Sequence, residues 1–120
     1  VLYIAINDAP SWVISRANTM AELRGWSRFI GLQTRYNLLD RSMEFDLQSA
    51  CAEVDVGIIP WGCLAEGFLT GKYTKDSDTS IEKIGGRSYS VSNSASNERN
   101  WEILDEVKAI ASEINKSPSQ

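Results

Sequence analysis

Residues 58–73 of the chain read IIPWGCLAEGFLTGKY. The apolar part of this stretch begins slightly earlier, at Val56, and ends at Trp61. The loop that follows it contains three glycines, Gly62, Gly67 and Gly71. A parallel strand that is buried on both faces has this unbroken apolar character, and glycines directly after it are typical of a turn. We therefore expect a buried strand that opens into a ligand-contacting loop.

Trp61 stands where the predicted strand becomes the glycine-containing loop. An indole offers a flat apolar face on which a ligand ring can stack, and glycines let backbone N–H groups approach an anion closely. The alternative is a core tryptophan that precedes an ordinary flexible loop. The residues of this stretch alone leave both interpretations open.

Upstream of this stretch, apolar runs alternate with helical patterns. Residues 1–6 and 29–34 predict two further strands, and a helix is expected to begin at Pro10 and to end at Gly25. Ser42 and Asn97 are predicted to cap a second and a third helix. Apolar residues at helical spacing predict the buried faces: Val13, Ile14, Ala17, Met20 and Ala21, then Met43, Leu47, Ala50, Cys51 and Val54, then Trp101, Leu104, Val107, Ala111 and Ile114. Three parallel strands alternating with three helices define an α/β fold.

Residues 74–97 interrupt this alternation. They are rich in serine, aspartate, asparagine and glycine and show little periodicity, so they predict a long loop without regular structure. The chain of 120 residues has the length of one ordinary domain. We expect a single domain over residues 1–120 with this loop inside it.

The composition excludes several classes of protein. A formal net charge of −4 argues against binding nucleic acid through a basic surface. The sequence contains no apolar run of membrane-spanning length and no pattern of a signal peptide, so we expect no membrane segment and a cytoplasmic location. The two cysteines, Cys51 and Cys63, lack metal-motif spacing and the chain has no histidine, which predicts free thiols and no metal site.

Residues 58–73 resemble the W-S-P-L-A-x-G-x-L-T-G-K-Y segment of the aldo-keto reductases, NADPH-dependent enzymes with a (β/α)8 barrel. YIAINDAPSW at residues 3–12, LRGW at residues 23–26 and LQTRYNLLDR at residues 32–41 match the same family in the same order. The resemblance covers nearly the whole chain and makes an unrelated flavodoxin-like domain a poor alternative. It implies a partial, half TIM barrel, an internal piece from the second half, because a whole barrel needs about 250 residues.

The resemblance also implies a cofactor site. The family's polar pair after the first of these strands and the glutamine on the next strand hold the nicotinamide carboxamide, which corresponds to Asn7, Asp8 and Gln33. The aromatic residue that stacks on the nicotinamide corresponds to Trp61. The positions that carry the pyrophosphate correspond to Gly62, Leu64, Ala65 and Gly67. Lys72 is a further candidate cofactor position, for which a solvated surface charge is the simpler alternative. A simpler role for Asp8 is to cap the helix that begins at Pro10.

Three departures from the family pattern bear on this site. Gly62 replaces a serine, Cys63 replaces a proline, and Glu66 brings a carboxylate beside the expected phosphates. At about 5 Å such a carboxylate costs on the order of 1 kcal/mol even at high effective dielectric. The resemblance places the catalytic Asp, Tyr, Lys and His in the first half of the barrel, and this chain has no histidine. We therefore expect no catalytic residue here and weak or absent NADPH binding by the chain alone.

The alternative function is a non-catalytic half-barrel that self-associates or binds a small ligand. The predicted strands are apolar on both faces, and helices cover only one face of such a sheet. An uncovered apolar face favours association with a second copy, most simply as a symmetric dimer. We expect Ile4, Ile6, Leu32 or Ile58 in that contact.

Overall fold

The computed structural model describes residues 1–77 and 85–120. The chain divides into two compact units, Val1–Trp61 and Gly62–Gln120. That residues 1–120 form one domain stays a prediction. Within the described residues, no helix is both long enough and apolar enough to cross a membrane.

The first unit is built on a parallel sheet of three strands in the order β1-β2-β3. Its elements are β1 (Ile4–Asn7), α1 (Ser11–Arg24), β2 (Phe29–Arg35), a 3-10 helix (Ser42–Phe45), α2 (Leu47–Glu53) and β3 (Gly57–Trp61). The predicted α/β fold with three parallel strands is confirmed. The strands are parallel because each connection contains helical structure long enough to return the chain to the same end of the sheet.

One face of this sheet is covered and forms the core of the unit. Ile6, Leu32 and Ile58 lie opposite one another across the three strands. Leu32 is fully buried in a cluster with Ile14 and Cys51, and Ile6 and Ile58 pack against that cluster. Leu32 is therefore closed to a second copy, and the expectation that it lies in a dimer contact is wrong. Ile6 and Ile58 are only partly buried and Ile4 is exposed, so their place in such a contact stays a prediction.

The opposite face of the sheet is smaller and more polar than the sequence suggested. Ala5, Gly31 and Gly57 lie side by side on it, and the next row contains Asn7, Gln33 and Ile59. A methyl group on Gly31 would lie 3.1 Å from Ile59 Cδ1, so Ile59 reaches across the space that the glycine leaves. Strands with two fully apolar faces were predicted, but the open face contains Asn7 and Gln33, and the covered face contains buried Thr34 beside Leu32.

Helix α1 ends as predicted. Gly25 adopts φ +66°, the left-handed conformation in which glycine is strongly preferred as a helix terminator. The predicted apolar face was partly wrong: Met20 is 38% exposed, whereas polar Asn18 is 1% exposed. Helical periodicity assigns only apolar side chains to a buried face. A buried polar side chain such as Asn18 needs a hydrogen-bond partner, and periodicity does not show that partner.

The second predicted helix is divided at Asp46. This residue has φ −142° and ψ −57°, outside the helical region, so a 3-10 helix precedes it and α2 follows. Ser42 does not cap the helix, because its hydroxyl donates to Asp40 Oδ1 at 2.7 Å. Met43 and Cys51 are nevertheless buried as predicted.

The second unit is helical in its described part. It contains 3-10 helices at Ala65–Thr70 and Gly85–Arg87, followed by α3 (Ser88–Ala95) and α4 (Glu98–Glu113). Phe68 and Trp101 meet edge to face at its centre, with ring centroids 4.7 Å apart. Asn97 caps α4 by accepting the N–H of Arg99 at 3.1 Å, which confirms the predicted cap, although Ile114 is 60% exposed rather than buried.

Helix α3 corrects the prediction of a long structureless loop over residues 74–97. Its sequence, SYSVSNSA, has low helix propensity because serine and asparagine compete for backbone hydrogen bonds. Val91 is fully buried, and Ser88 and Ser94 are at least nine-tenths buried. Tertiary packing of this side of the helix outweighs its propensity. Residues 78–84 of the predicted loop lie outside the described residues.

Candidate functional site

Four sequence-predicted residues meet at the carboxyl edge of the sheet. Asn7 ends β1, Asp8 follows it directly, and Trp61 ends β3. Gln33 lies on β2 between them, opposite both Asn7 and Ile59. The side chains of Asn7 and Gln33 belong to the face that the helices leave open, and both residues are exposed. Parallel strands bring their carboxyl ends to one edge, which is why residues far apart in sequence converge here.

Asp8 is the best-connected residue of this group. Its backbone has φ +44°, a left-handed conformation that aspartate and asparagine tolerate better than most residues. Its N–H donates to Gln33 O at 2.8 Å. One carboxylate oxygen accepts the indole N–H of Trp61 at 3.0 Å, and the other accepts Asn7 Nδ2 at 3.2 Å.

The simpler role predicted for Asp8, a helix cap, is not what its side chain does. Helix α1 begins at Ser11 after Pro10, and no side-chain hydrogen bond caps it. Proline stands in the cap position with an extended backbone, φ −61° and ψ 151°. The carboxylate of Asp8 is engaged by the side chains of Trp61 and Asn7 instead.

Trp61 is half-buried and is held from two further directions. The guanidinium of Arg35 lies 5.3 Å from the centre of the indole ring. The backbone carbonyl of Trp61 accepts the N–H of Tyr36 at 3.2 Å, which extends the pairing of β2 and β3 by one step. Arg35 was missed from the sequence, although its alternation with Gln33 along β2 would have assigned both side chains to one face.

Two acidic side chains anchor the segment that follows β2. Asp40 accepts Arg35 Nε at 3.2 Å and the Ser42 hydroxyl at 2.7 Å. Hydrogen bonding from Ser42, with the nearby charge of Arg35, lowers the pKa of Asp40 although its partial burial opposes this. Glu44 accepts Arg41 Nε at 2.8 Å and Arg41 Nη2 at 2.9 Å, and also the Tyr36 hydroxyl. These hydrogen bonds lower the pKa of Glu44, and the bond to Glu44 raises the pKa of Tyr36.

The glycine loop of the second unit is tightly wound. Gly62, Ala65, Glu66 and Gly67 all have positive φ, and Ala65 and Glu66 are unusual among non-glycine residues in this respect. The N–H of Ala65 donates to Gly62 O at 2.9 Å, and the N–H of Gly67 donates to Leu64 O at 2.9 Å. Ala65 is also 1% exposed. The backbone N–H groups of Ala65 and Gly67 therefore already have partners inside the loop. The side chain of Leu64 is 36% exposed.

The side chain of Lys72 lies against this loop. A methyl group on Gly67 would lie 3.4 Å from both Cε and Nζ of Lys72, so the ammonium group lies directly beside the glycine. The same Nζ lies 4.9 Å from the centre of the Tyr73 ring, which is a cation–π distance. Glu66, next to Gly67 in the chain, is half-buried. A cation and a carboxylate thus flank the same glycine turn.

The two cysteines differ in their surroundings. Cys51 is buried in the core of the first unit, and this burial raises the pKa of its thiol. Cys63 is an exposed free thiol in the glycine loop. Among residues 1–77 and 85–120, no three or more His, Cys, Asp or Glu side chains are grouped so that they could hold a metal ion.

Comparison with known proteins identifies the class to which these features belong. The sequence profile of the Aldo/keto reductase family matches residues 1–120. The chain belongs to the aldo/keto reductase family.

Individual relatives show how much of such a protein this chain represents. It is similar to norsolorinic acid reductase B of Dothistroma septosporum, with 34% identity over 73% of this chain and 23% of the relative. An aryl-alcohol dehydrogenase [NADP(+)] of Phanerodontia chrysosporium is 35% identical over 58% of the chain and 18% of the relative. An aldo-keto reductase of Fusarium vanettenii is 29% identical over 92% of the chain and 30% of the relative. The matched segments thus span less than a third of the length of these relatives.

Proposed function

We propose that this chain forms the part of an NADPH-dependent carbonyl oxidoreductase that contacts the nicotinamide and the pyrophosphate of the cofactor. The observation that carries the proposal is the convergence of Asn7, Asp8 and Gln33 with Trp61 at one edge of the parallel sheet. One relative is named for NADP(+), which agrees with this choice of cofactor.

The residues of the sheet edge suit the chemistry of a nicotinamide. Its carboxamide offers both donors and an acceptor, and the exposed side-chain amides of Asn7 and Gln33 offer the complementary groups. The indole of Trp61 provides a flat surface on which the ring can stack. Gly31 and Gly57 add no side chain of their own to the neighbouring sheet surface, and Ile59 covers the space above Gly31. When bound, NADPH supplies the hydride for carbonyl reduction, and these residues orient its ring.

The pyrophosphate half of the proposal depends mainly on Lys72. Its ammonium lies beside Gly67, where it provides a positive charge at a turn that is exposed enough to meet an anion. The amides of Ala65 and Gly67 are occupied within the loop, so their contribution to anion binding is small. Gly62 and Leu64 stay candidates by position. Glu66 opposes the binding of an anion, and we therefore expect weak affinity.

We propose that residues outside the given sequence carry out the catalytic step. A general acid must donate a proton to the carbonyl oxygen while hydride is transferred. The family resemblance assigns that role to a Tyr, Lys, Asp and His set, and this sequence has no histidine. The longer protein would reduce carbonyl compounds or oxidise alcohols, as the names of the relatives suggest, and its cytoplasmic location stays a prediction.

Titration of the chain with NADPH, followed by tryptophan fluorescence, tests this proposal. We expect a dissociation constant well above the low micromolar range and weaker binding in Trp61→Phe. Lys72→Gln should weaken binding further, whereas Lys116→Gln, which removes an exposed lysine elsewhere in the same unit, should not. Binding that is indifferent to both Trp61→Phe and Lys72→Gln would contradict the proposal.

Glu66 provides a second, independent arm of the same titration. Glu66→Gln removes the charge and keeps the side-chain length, so it should tighten NADPH binding if the carboxylate faces the phosphates. Glu66→Gly also relieves a backbone held at φ +53°, and it therefore tests charge and strain together. An unchanged affinity in Glu66→Gln would show that this carboxylate does not oppose the phosphates.

Self-association is the second candidate function, and a specific surface favours it. Ile59 is 50% exposed, Ile30 is 49% exposed and Tyr3 is 72% exposed. Together with Ala5, Gly31 and Gly57 they line a shallow apolar cleft of about 220 Å³. Strands β1 and β3 are both edge strands of the described sheet, so backbone pairing with a second copy is geometrically open to them. We propose that Ile59 takes the central place in a homodimer contact.

Sedimentation equilibrium at micromolar concentration tests the dimer. Ile59→Ser should raise the fraction of monomer, whereas Ile110→Ser, which changes a residue of 48% exposure on α4, should leave the equilibrium unchanged. A wild-type chain that is monomeric and binds no hydrophobic dye would rule out this second candidate.

A further inference from the structure

We propose that Asp8 and Arg35 are positioning residues that together fix the orientation of the Trp61 indole at the carboxyl edge of the sheet. The functional meaning of this arrangement rests on the proposed function, because the indole is the surface on which the nicotinamide is proposed to stack. The arrangement itself is a property of the cofactor-free chain and can be measured without any ligand.

Asp8 controls the edge of the indole ring. Its Oδ1 accepts the Nε1–H of Trp61 at 3.0 Å, a bond from a neutral donor to a carboxylate, which is stronger than a neutral pair. The backbone of Asp8 is itself held, because its N–H donates to Gln33 O at 2.8 Å. Asn7 Nδ2 donates to the other carboxylate oxygen at 3.2 Å. The bond to Gln33 therefore holds the carboxylate of Asp8 in place beside β2, and that carboxylate holds the indole of Trp61.

Arg35 controls the face of the same ring. Its guanidinium lies 5.3 Å from the ring centre, and its backbone is the direct neighbour of Trp61 across β2 and β3. Asp40 holds Nε of Arg35 at 3.2 Å. A cation within about 6 Å of the centre of an aromatic ring is attracted to the ring face, so this contact opposes rotation of the indole about the Asp8 hydrogen bond.

The two contacts have different consequences for a stacked ligand. The edge contact sets the angle of the indole plane at the end of β3. The face contact occupies one side of the ring, so a flat ligand stacks on the other side. A tryptophan with neither contact would sample several rotamers, and a ligand ring would have to order it on binding at a cost in affinity.

The indole N–H signals of the four tryptophans in a ¹⁵N-labelled chain provide the test. Each signal is assigned with a Trp→Phe variant, and hydrogen exchange of the Trp61 Nε1–H is measured without cofactor. Asp8→Gly tolerates the positive φ and removes the acceptor, so exchange should accelerate about threefold to tenfold. Asp8→Asn keeps an acceptor oxygen and should restore slow exchange. Equal exchange rates in the wild type and in Asp8→Gly would overturn the role of Asp8.

Arg35→Met tests the face contact and stays decisive if Asp8→Gly does not fold. It keeps an unbranched side chain and removes the cation, so the Trp61 signal should shift. The guanidinium of Arg24 lies over the Trp26 ring at 4.9 Å from its centre. Arg24→Met should therefore shift the Trp26 signal and leave that of Trp61 in place. A Trp61 signal that is unmoved by Arg35→Met would overturn the role of Arg35.

NADPH titration of the same variants separates this inference from the proposed function. If NADPH binds to the wild type, Asp8→Gly should weaken it several-fold, and Arg35→Met, which changes a residue outside the proposed cofactor contacts, should weaken it as well. If the wild type shows the slow indole exchange but no NADPH binding at millimolar concentration, the proposed function fails while the positioning of the indole is supported. NADPH binding that is equal in the wild type and Asp8→Gly would contradict the role of the positioned indole in cofactor binding.

Discussion

Asn18 and Phe29 form a closed pair of hydrogen bonds between helix α1 and the start of β2. Asn18 Nδ2 donates to Phe29 O at 3.0 Å, and Asn18 Oδ1 accepts the N–H of Phe29 at 2.9 Å. Asn18 is 1% exposed, so its side chain is withdrawn from water, and its Oδ1 and one of its two Nδ2 hydrogens bond to the backbone of a single residue. This pair fixes the distance between the helix and the strand that leads to Gln33 and Arg35.

Replacing Asn18 should destabilise the first unit. Asn18→Leu keeps the approximate volume but leaves the two backbone groups of Phe29 without their partner, at a cost of about 1–3 kcal/mol. Chemical denaturation should show a lower midpoint with an unchanged slope. Thr19→Ala alters the exposed neighbouring residue and serves as the control. An Asn18→Leu variant as stable as the wild type would show that Phe29 finds other partners.

The packing of α3 can be tested at Val91. This side chain is fully buried, so Val91→Ala should lower the free energy of unfolding by about 1–3 kcal/mol through lost burial and the cavity left behind. Tyr89 lies on the same helix and is 84% exposed, and Tyr89→Ala should change stability by less than about 0.5 kcal/mol. Equal effects of the two substitutions would argue against a packed α3.

The acidic cluster after β2 should make stability depend on pH on the acid side. The pKa of Asp40 is lowered from its usual value of 3.8 and that of Glu44 from 4.5. A carboxyl group with a lowered pKa in the folded state contributes stability above its unfolded pKa and loses it as the pH falls through the folded value. We expect stability to decrease below about pH 4.5. Denaturation midpoints of Asp40→Asn and Glu44→Gln should vary less between pH 5 and pH 3 than those of the wild type.

The same cluster predicts an effect on Tyr36 at alkaline pH. The hydrogen bond to Glu44 raises the pKa of the phenol above its usual 10.0. Glu44→Gln removes the carboxylate, so the pKa of Tyr36 should fall, as measured by titration of its ring signals. Because a raised folded pKa stabilises below the unfolded value, the wild type should lose this contribution as the pH rises through the folded pKa. A Tyr36 pKa that is the same in both proteins would contradict the proposed bond.

The chain alone should not reduce carbonyl substrates. It carries no histidine, so it cannot supply the imidazole of the catalytic set that the family resemblance implies. Incubation with NADPH and an aromatic aldehyde should therefore give no more NADPH oxidation than buffer. Trp61→Ala is the control for any residual signal, because true turnover should vanish with the stacking ring. Turnover that survives repurification and is lost in Trp61→Ala would contradict this prediction.

Much of this protein could be predicted from the sequence because local signals and the fold agree. The apolar runs before Asn7, Arg35 and Gly62 predicted three parallel strands, and Gly25 and Asn97 marked helix ends through conformations that their backbones adopt. The motif at residues 58–73 predicted the family to which the chain belongs. These features depend on residues that are close together in the chain, so they can be predicted from the order of the residues alone.

Other features depend on residues that are distant in sequence, and only the tertiary structure decided them. Periodicity could not show that Asn18 is buried against Phe29, or that Val91 holds a serine-rich segment in a helix. It also could not show that the carboxylate of Asp8 bonds to Trp61 and Asn7 and does not cap α1. The sequence determined that Asp8 follows one strand and that Trp61 ends another. The parallel pairing of β1, β2 and β3 brought the carboxylate within 3.0 Å of an indole 53 residues away. A hydrogen bond depends on the distance between two atoms in the folded chain. The number of residues between them does not give that distance, so the sequence alone could not predict this bond.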